Sequence, residues 1–435
     1  MTSTRGGRLI IRNGTLIDGT GSAPVASARI VIEGNRITEV VTAGGEPAAP
    51  MEAMPGDREI DAAGGWIMPG LIDGHVHLSS HQGFIPGVPF TSTPEYATLW
   101  TARIVAKVLH AGVTGISVPG GKWFVDATVR EAVNGGLIEG PRIFCAGRAL
   151  TPYGGIFDTS NPLTGKGSDD AVGVLCNTVD DYIRETRLQC RRGVDMIKIA
   201  DSYWGDTQTV SREEISAVVD EAHRRGRKVS IHARGSGSTR DAALAGVDWI
   251  FHADLATDDD LDTVAACGVP IMPVFTQCQI ITELSETEGF DPKMRDRIKA
   301  QLDTNFEAIR RARARGIEIL VGTDSGNAAA FHHGRHHGRE AEILVREIGM
   351  TPMEVLTAFT SRNAKVIGLD GQVGVIAQGM LADVIIWDAD PLADITVLQQ
   401  PERLKAVVKD GRLIDRSSTA GFLPLESEPR RAVPR

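Results

Sequence analysis

Long apolar runs are missing from this chain of 435 residues. No uninterrupted stretch of about 18 apolar residues occurs, the length a helix needs to cross a bilayer. The start, MTSTRGGRLIIRNGTLIDG, also lacks the apolar segment of an export signal. Both absences argue against a membrane span and against secretion. Cysteine is sparse: Cys145, Cys176, Cys190, Cys267 and Cys278 form an odd, scattered set with no CxxC pair. Such a set suits a reducing compartment better than a disulfide framework, and a cytoplasmic location is the expectation. No long basic run is present, and 46 Lys and Arg against 56 Asp and Glu leave a net charge of −10. Nucleic acid and membrane are therefore not expected partners, and a small-molecule substrate is the expectation. What the chain does have is ordinary: 42% hydrophobic and 23% charged residues, the composition of a folded globular protein. Its length admits one large barrel with a satellite, or two to three ordinary domains.

Residues 8 to 66 read as short alternating strands broken by Asn-Gly, Asp-Gly and Gly-Asn turns, among them Ala28-Arg29-Ile30-Val31-Ile32 and Arg36-Ile37-Thr38-Glu39-Val40. The same texture returns after about residue 372, in Ala382-Asp383-Val384-Ile385-Ile386-Trp387 and in the stretch from Leu404 to Ile414. The two ends are expected to pair into one composite β-sandwich domain over 1–66 and 372–420. Between them, over 67–371, short apolar runs alternate with helical stretches, the signature of repeated βα units around a parallel sheet. Eight runs are legible: Trp66–Ile72, Val113–Val118, Arg142–Ala146, Val194–Ala200, Lys228–His232, Val247–His252, Val269–Phe275 and Ile317–Thr323. Eight such units predict a closed (β/α)8 barrel of the TIM type, an α/β fold. Ser211-Arg212-Glu213-Glu214 resembles a capping box leading into a helix that Gly226 stops. The tail, 421–435, is expected to be a C-terminal extension.

In a barrel of this kind chemistry is carried at the C-terminal ends of the strands, so ligand-competent residues there count for more than elsewhere. His75 and His77 follow the first run, and a spacing of two puts both imidazoles on one side of an extended chain. An isolated HxH pair serves equally well as two hydrogen-bonded loop histidines. Lys198 lies inside the fourth run, where both strand faces are buried and an unpaired ammonium is expensive. Carbamylation by CO2 explains it, since the reaction needs a neutral amine, which burial favours, and yields an anion able to bridge two cations. A buried salt bridge is the alternative. His232 ends the fifth run, His252 the sixth, and Asp324 follows the eighth. Singly, each is an ordinary core histidine or helix cap; together they form a ligand set at one end of the barrel.

The order HxH, Lys, His, His, Asp resembles the binuclear amidohydrolase superfamily over nearly the whole chain. Ile67 through His77, Gly322-Thr323-Asp324-Ser325-Gly326 and the closing Gly379-Met380-Leu381-Ala382-Asp383-Val384 carry the likeness. Ile231-His232-Ala233-Arg234-Gly235 with Ala243-Leu244-Ala245-Gly246-Val247-Asp248 is similar to the imidazolonepropionase-like branch, which holds Xaa-Pro dipeptidases and ochratoxinase-type amidases. The resemblance implies two divalent metal ions, zinc by default. His75, His77 and Asp324 would bind the more buried one and His232 and His252 the more exposed one, with carbamylated Lys198 between them. It also implies a water acidified between two cations about 3.5 to 4 Å apart, Asp324 as general base and later proton donor, and a homo-oligomer.

Substrate is set by loops on the catalytic face. The longest, from about Arg148 to Asn177, places Ile156 where many relatives carry a histidine after paired glycines, and Phe251-His252-Ala253-Asp254 stands where they have Glu-His-Gly. Tyr153, Tyr203, Trp204, Arg234, Phe275 and His337 are the candidate substrate contacts, an apolar wall with one cationic anchor. The His332–His337 cluster reads as a loop rather than a third metal site. Hydrolysis of an amide or peptide-like C–N bond in an N-acyl amino acid, aryl amide or dipeptide leads. Lactone, carbamate, urea and organophosphate hydrolysis are alternatives on the same site. Heterocycle deamination fits less well, because mononuclear deaminases typically lack the strand-four lysine, and a scaffold without catalysis would not need all six ligands.

Overall fold

The computed structural model describes residues 7–42, 51–52, 54–79, 93–202, 207–288, 292–326 and 333–417. Chain ends meet in one mixed sheet of eight strands. Its order runs Arg412–Leu413, Leu404–Lys409, Val384–Trp387, Trp66–Pro69, Leu9–Leu16, Val25–Glu33, Arg36–Val41, with Arg58–Asp61 also paired to Leu9–Leu16. Alternation explains why Val384–Trp387 is apolar throughout. Val384 and Ile386 pack into a satellite core with Ile11, Ile30, Ile32 and Ile67, while Ile385 and Trp387 face the main core beside the barrel.

The expected run Trp66–Ile72 is two strands. Trp66–Pro69 belongs to the terminal sheet, pairing antiparallel with Val384–Trp387, whereas Leu71–Asp73 is the first barrel strand, parallel to Val113–Val118. The break falls at Gly70, where a Cβ would lie 2.1 Å from Thr114 Oγ1, so only glycine lets the chain change sheets there.

Arg142–Cys145, Met196–Ala200, Lys228–Ala233, Trp249–His252 and Ile271–Met272 continue the barrel as strands three to seven. Strand three meets strand four through the Asp195 amide, which donates to Cys145 O at 2.8 Å. The eighth run is not a regular strand: parallel bridges Ile271↔Ile319 and Val76↔Ser325 close the ring. Run seven is likewise shortened, ending before Val274, whose φ is +63°. Two short strands, Ala149–Thr151 and Gly173–Leu175, pair inside the long loop after strand three. The helix Arg212–Arg224 begins with the expected capping box: Ser211 Oγ accepts from the Glu214 amide and Glu214 returns the bond. Met196, Trp249, Phe251, Met272 and Leu320 fill the lumen as one apolar cluster, while Ile197, Ile199, Ile231 and Ile250 face the helices. No helix among the described residues is long and apolar enough to cross a membrane.

Candidate metal centre

Alternation within strand four sends Lys198 to the same side as Met196, into the lumen above the apolar cluster. Its Nζ lies 3.7 Å from the centre of the Phe251 ring, and the residue is 2% exposed. Burial pushes the amine well below the ordinary lysine range, which favours the neutral form, against the opposing charge of Asp324.

His75 and His77 project from the chain just past strand one. Their Nε2 atoms are 3.1 Å apart, and Asp324 Oδ1 stands 3.4 Å from the first and 3.0 Å from the second. All three side chains are buried, and their ligand atoms lie within 4.8 Å of one another. His77 Nδ1 is 3.0 Å from Gly120 O, a bond only the Nδ1–H tautomer makes, which leaves the Nε2 lone pair directed at the cluster. Asp324 takes φ +55°, a left-handed conformation costly for a non-glycine residue. Gly322 permits the close approach of this segment to strand one: a Cβ there would meet Met272 Sδ at 2.3 Å and His75 Cβ at 2.7 Å.

His232 and His252 stand edge to face with ring centres 4.4 Å apart. By alternation His232 shares the lumen side with Ser230. His252 does not follow its strand: Trp249 and Phe251 point inward, so the next residue would face the helices, but φ of +74° at His252 and +54° at Ala253 turn it into the cleft. Burial, with Lys198 adding to it, holds His75 and His232 well below the usual histidine range. His252 is held there by burial and by its neighbour His232. Neutral imidazoles are the form that binds metal. His232 Nε2 is buried and finds no hydrogen-bond partner among the described residues, a cost that a bound cation would remove. Nitrogen donors, one carboxylate and an orphaned buried nitrogen thus fit a divalent metal ion.

These groups line one cleft of about 600 Å3, counted with its open mouth. Its remaining wall is made by Ile156, Phe157, Arg234, Gln277 and Cys278. Burial pushes the Cys278 thiol up to about 12, so it is an uncharged wall residue rather than a nucleophile.

Of the residues expected to touch substrate, Arg234 lines this cleft. Three others are placed elsewhere. Tyr153 is 54% exposed and donates its hydroxyl to Gly165 O, a turn contact within its own loop. Phe275 is buried against Phe306, with ring centres 4.8 Å apart. His337 is buried with Nδ1 2.8 Å from Asp73 Oδ2 and does not line the cleft. Tyr203 and Trp204 lie outside the described residues.

Asp73 went unread in the sequence. Fully buried, it accepts from the His75 and Thr323 amides through Oδ1, each at 3.1 Å, and from Thr323 Oγ1 at 2.7 Å through Oδ2. It therefore ties the HxH segment to the Asp324 segment. Its place two residues before His75 was the available signal. Ile156 and Phe157 were signalled by the length of their loop, Gln277 and Cys278 by nothing local.

Comparison with known proteins agrees with this geometry. The amidohydrolase family profile matches residues 66–414. Ochratoxinase of Aspergillus niger is 27% identical over 429 residues, 93% of this chain and 86% of that one. A crystal structure of a Xaa-Pro dipeptidase with methionine in its active site superposes with a TM-score of 0.81 at 29% identity, covering 94% of this chain and all of that chain (100%). A prolidase complexed with N-methylphosphonate-L-proline matches at 0.81 and 26% identity, over 94% of this chain and 100% of the other.

Proposed function

This chain belongs to the amidohydrolase family, a family of C–N bond hydrolases, and on that premise we propose that it cleaves the amide bond of an N-acyl amino acid, aryl amide or dipeptide at a two-metal centre. The observation that carries the reading is Lys198: a buried amine, pushed well below the ordinary lysine range by burial, in a cleft that also holds four histidines and Asp324. In the proposed assignment His75, His77 and Asp324 would hold one ion, and His232 and His252 would hold the second. The Lys198 amine, which burial pushes toward its neutral form, would attack CO2 through Nζ and lose a proton, giving an anionic carbamate able to serve as a further metal ligand. Divalent ions held there, zinc by the nitrogen-rich donor set, would polarise the scissile carbonyl and acidify the attacking water.

The chain's own chemistry centres on Asp324. Its carboxylate takes a proton from the attacking water and delivers it to the departing nitrogen, one group serving as base and then acid. Ile156 and Phe157 cover the cleft with apolar surface that excludes bulk water, which strengthens each electrostatic contact inside. Similarity to a Xaa-Pro dipeptidase and to a prolidase that binds a phosphonate of proline supports a dipeptide-like substrate.

Metal content of protein purified without chelator tests the centre, measured by plasma mass spectrometry on wild type and Lys198→Ala. The expected result is about two ions per chain in wild type, falling to one or fewer with loss of all turnover on a panel of aryl amides, N-acyl amino acids and esters. One ion or none in folded wild type, unchanged by the substitution, would make Lys198 structural and return the mononuclear reading.

A further inference from the structure

Two segments meet beside the candidate centre at two fixed points. One is residues 77–79, past strand one; the other is the turn 120–122, past the strand Val113–Val118. His77 Nδ1 is 3.0 Å from Gly120 O, and two residues further along each segment the Lys122 amide donates to Ser79 Oγ at 2.8 Å. Ser79 Oγ in turn donates at 3.1 Å to Oδ2 of Asp126, in the first turn of the helix Val125–Asn134. Both side chains are buried, and Asp126 Oδ1 has no hydrogen-bond partner among the described residues. A carboxyl taken out of water for so few bonds is costly, which points to a task other than stability. Gly121 completes the arrangement: a Cβ there would lie 1.7 Å from Asp126 Oδ2 and 2.5 Å from Ser79 Oγ, so the turn closes on this pair only with glycine. We propose that Ser79 and Asp126 are positioning residues for His77, holding the Gly120 carbonyl where it accepts from Nδ1 so that the Nε2 lone pair stays directed toward His75 and Asp324. The inference rests on reading His77 as a metal ligand.

A serine hydroxyl has one proton and two lone pairs, and its rotation decides which neighbour meets which. Asp126 accepts the proton, which keeps a lone pair on the Lys122 amide; without that acceptor the proton is free to turn into the same position. The turn is pinned on its far side as well, where the Gly121 amide donates to Gly147 O at 3.1 Å. Trp123 and Phe124 then take φ of +51° and +62°, two successive left-handed residues, and backbone of that kind persists only where its surroundings over-determine it. The turn is strained and braced, and Ser79 is the brace on the His77 side. Released from it, the Gly120 carbonyl no longer selects one tautomer. The Nε2–H form of His77 then becomes accessible, and its proton occupies the nitrogen that faces His75 and Asp324.

Zinc affinity and the His77 tautomer are read together on the metal-stripped full chain. Affinity comes from competition with a chromophoric chelator. The tautomer comes from long-range proton–nitrogen correlation on histidine-labelled protein at about pH 8, where an ordinary imidazole is neutral, with His77→Gln assigning the signals. Wild type should show His77 as the Nδ1–H form. Ser79→Ala and Asp126→Ala should each mix the two tautomers and weaken zinc binding by about 10-fold, whereas Asp126→Asn, which keeps an oxygen acceptor for Ser79, should bind as wild type does. Ser79→Ala/Asp126→Ala should bind no more weakly than either single variant, the mark of two residues acting through one bond. Unchanged binding in Ser79→Ala, additive losses in the double variant, or weakened binding with His77 still wholly Nδ1–H overturns the inference. So does a wild type whose His77 carries its proton on Nε2, a result that needs no variant to fold. A wild type that takes up no zinc sinks the metal reading instead, and the tautomers in Ser79→Ala still decide what positions His77.

Discussion

Asp73 touches no candidate metal ligand side chain, yet it fixes where two of them sit. Both of its oxygens are occupied, by the His75 and Thr323 amides on one side and by Thr323 Oγ1 and His337 on the other. A carboxylate so placed holds the backbone on either side of the centre, and loss of such a support typically weakens metal affinity by roughly 10- to 100-fold. His337→Leu should therefore lower affinity by about that factor while leaving the fold intact, measured by competition with a chromophoric chelator. Unchanged affinity would mean that His337 only fills space. The same scale explains His252. Its left-handed φ costs on the order of 1–3 kcal/mol in backbone strain, and the return is a ligand-competent ring turned from the helix side of its strand into the cleft.

Helices of the outer ring are tied by charge at places the lumen never sees. Glu221 on Arg212–Arg224 accepts from Arg187 on Val179–Arg191, at 2.9 and 3.2 Å, and from Arg225 and Arg224 on its own side. Hydrogen bonding from Arg187, then from Arg225, holds this carboxyl down at about 2. A depressed folded value gives stability that is present above the ordinary glutamate range and is lost as pH falls toward the folded value. Glu221→Gln should therefore lower the melting temperature at pH 7 by a few degrees, with the gap to wild type narrowing between about pH 4.5 and pH 2. A constant gap across that window would remove the ion pairs as its cause. The loop Arg148–Asn177 is stapled in a comparable way. Arg148 donates to the carbonyls of Ala171, Ser168 and Gly173, and Asn177 accepts from the Tyr153 amide. These bonds hold the segment that delivers Ile156 and Phe157 to the cleft, and the exposed Tyr153 belongs to the staple rather than to the pocket.

At the scale of the molecule, one arginine couples the terminal sheet to the barrel. Arg142, at the start of strand three, donates to both oxygens of Asp383 at 2.8 and 3.0 Å and also to Asp410. Asp383 is 4% exposed and precedes the strand Val384–Trp387. Arg142→Met should leave that carboxylate buried and unpaired, at a cost of about 3–5 kcal/mol. Denaturant unfolding followed by fluorescence and circular dichroism should show one lowered transition, because the sheet and barrel share the core that contains Ile385 and Trp387. Arg142→Met/Asp383→Leu should restore most of the loss. Two separate transitions in the single variant would mean that the sheet unfolds independently of the barrel.

Local order in the sequence determined a good deal of this protein by itself. Alternating apolar runs gave the βα repeat, the Ser211–Glu214 box gave a helix start, and the lumen side of Lys198 followed from the period of two within its strand. Those features rest on near neighbours and on backbone geometry that any strand or helix obeys. Tertiary structure decided what depends on contacts distant in the chain. Gly70 splits one apolar run between two sheets because Thr114 leaves no room for a side chain. Run eight closes the ring through isolated bridges rather than a ladder, since a left-handed Asp324 must reach His75 and His77. His337 lies beside Asp73 rather than on the cleft wall, a placement set by a residue 264 positions away in sequence. Arg234 is fixed in the cleft wall because Asp254, on the turn after the next strand, takes its Nε and Nη2 donors; a spacing in sequence carries residue types, whereas the orientation of a guanidinium is set by packing.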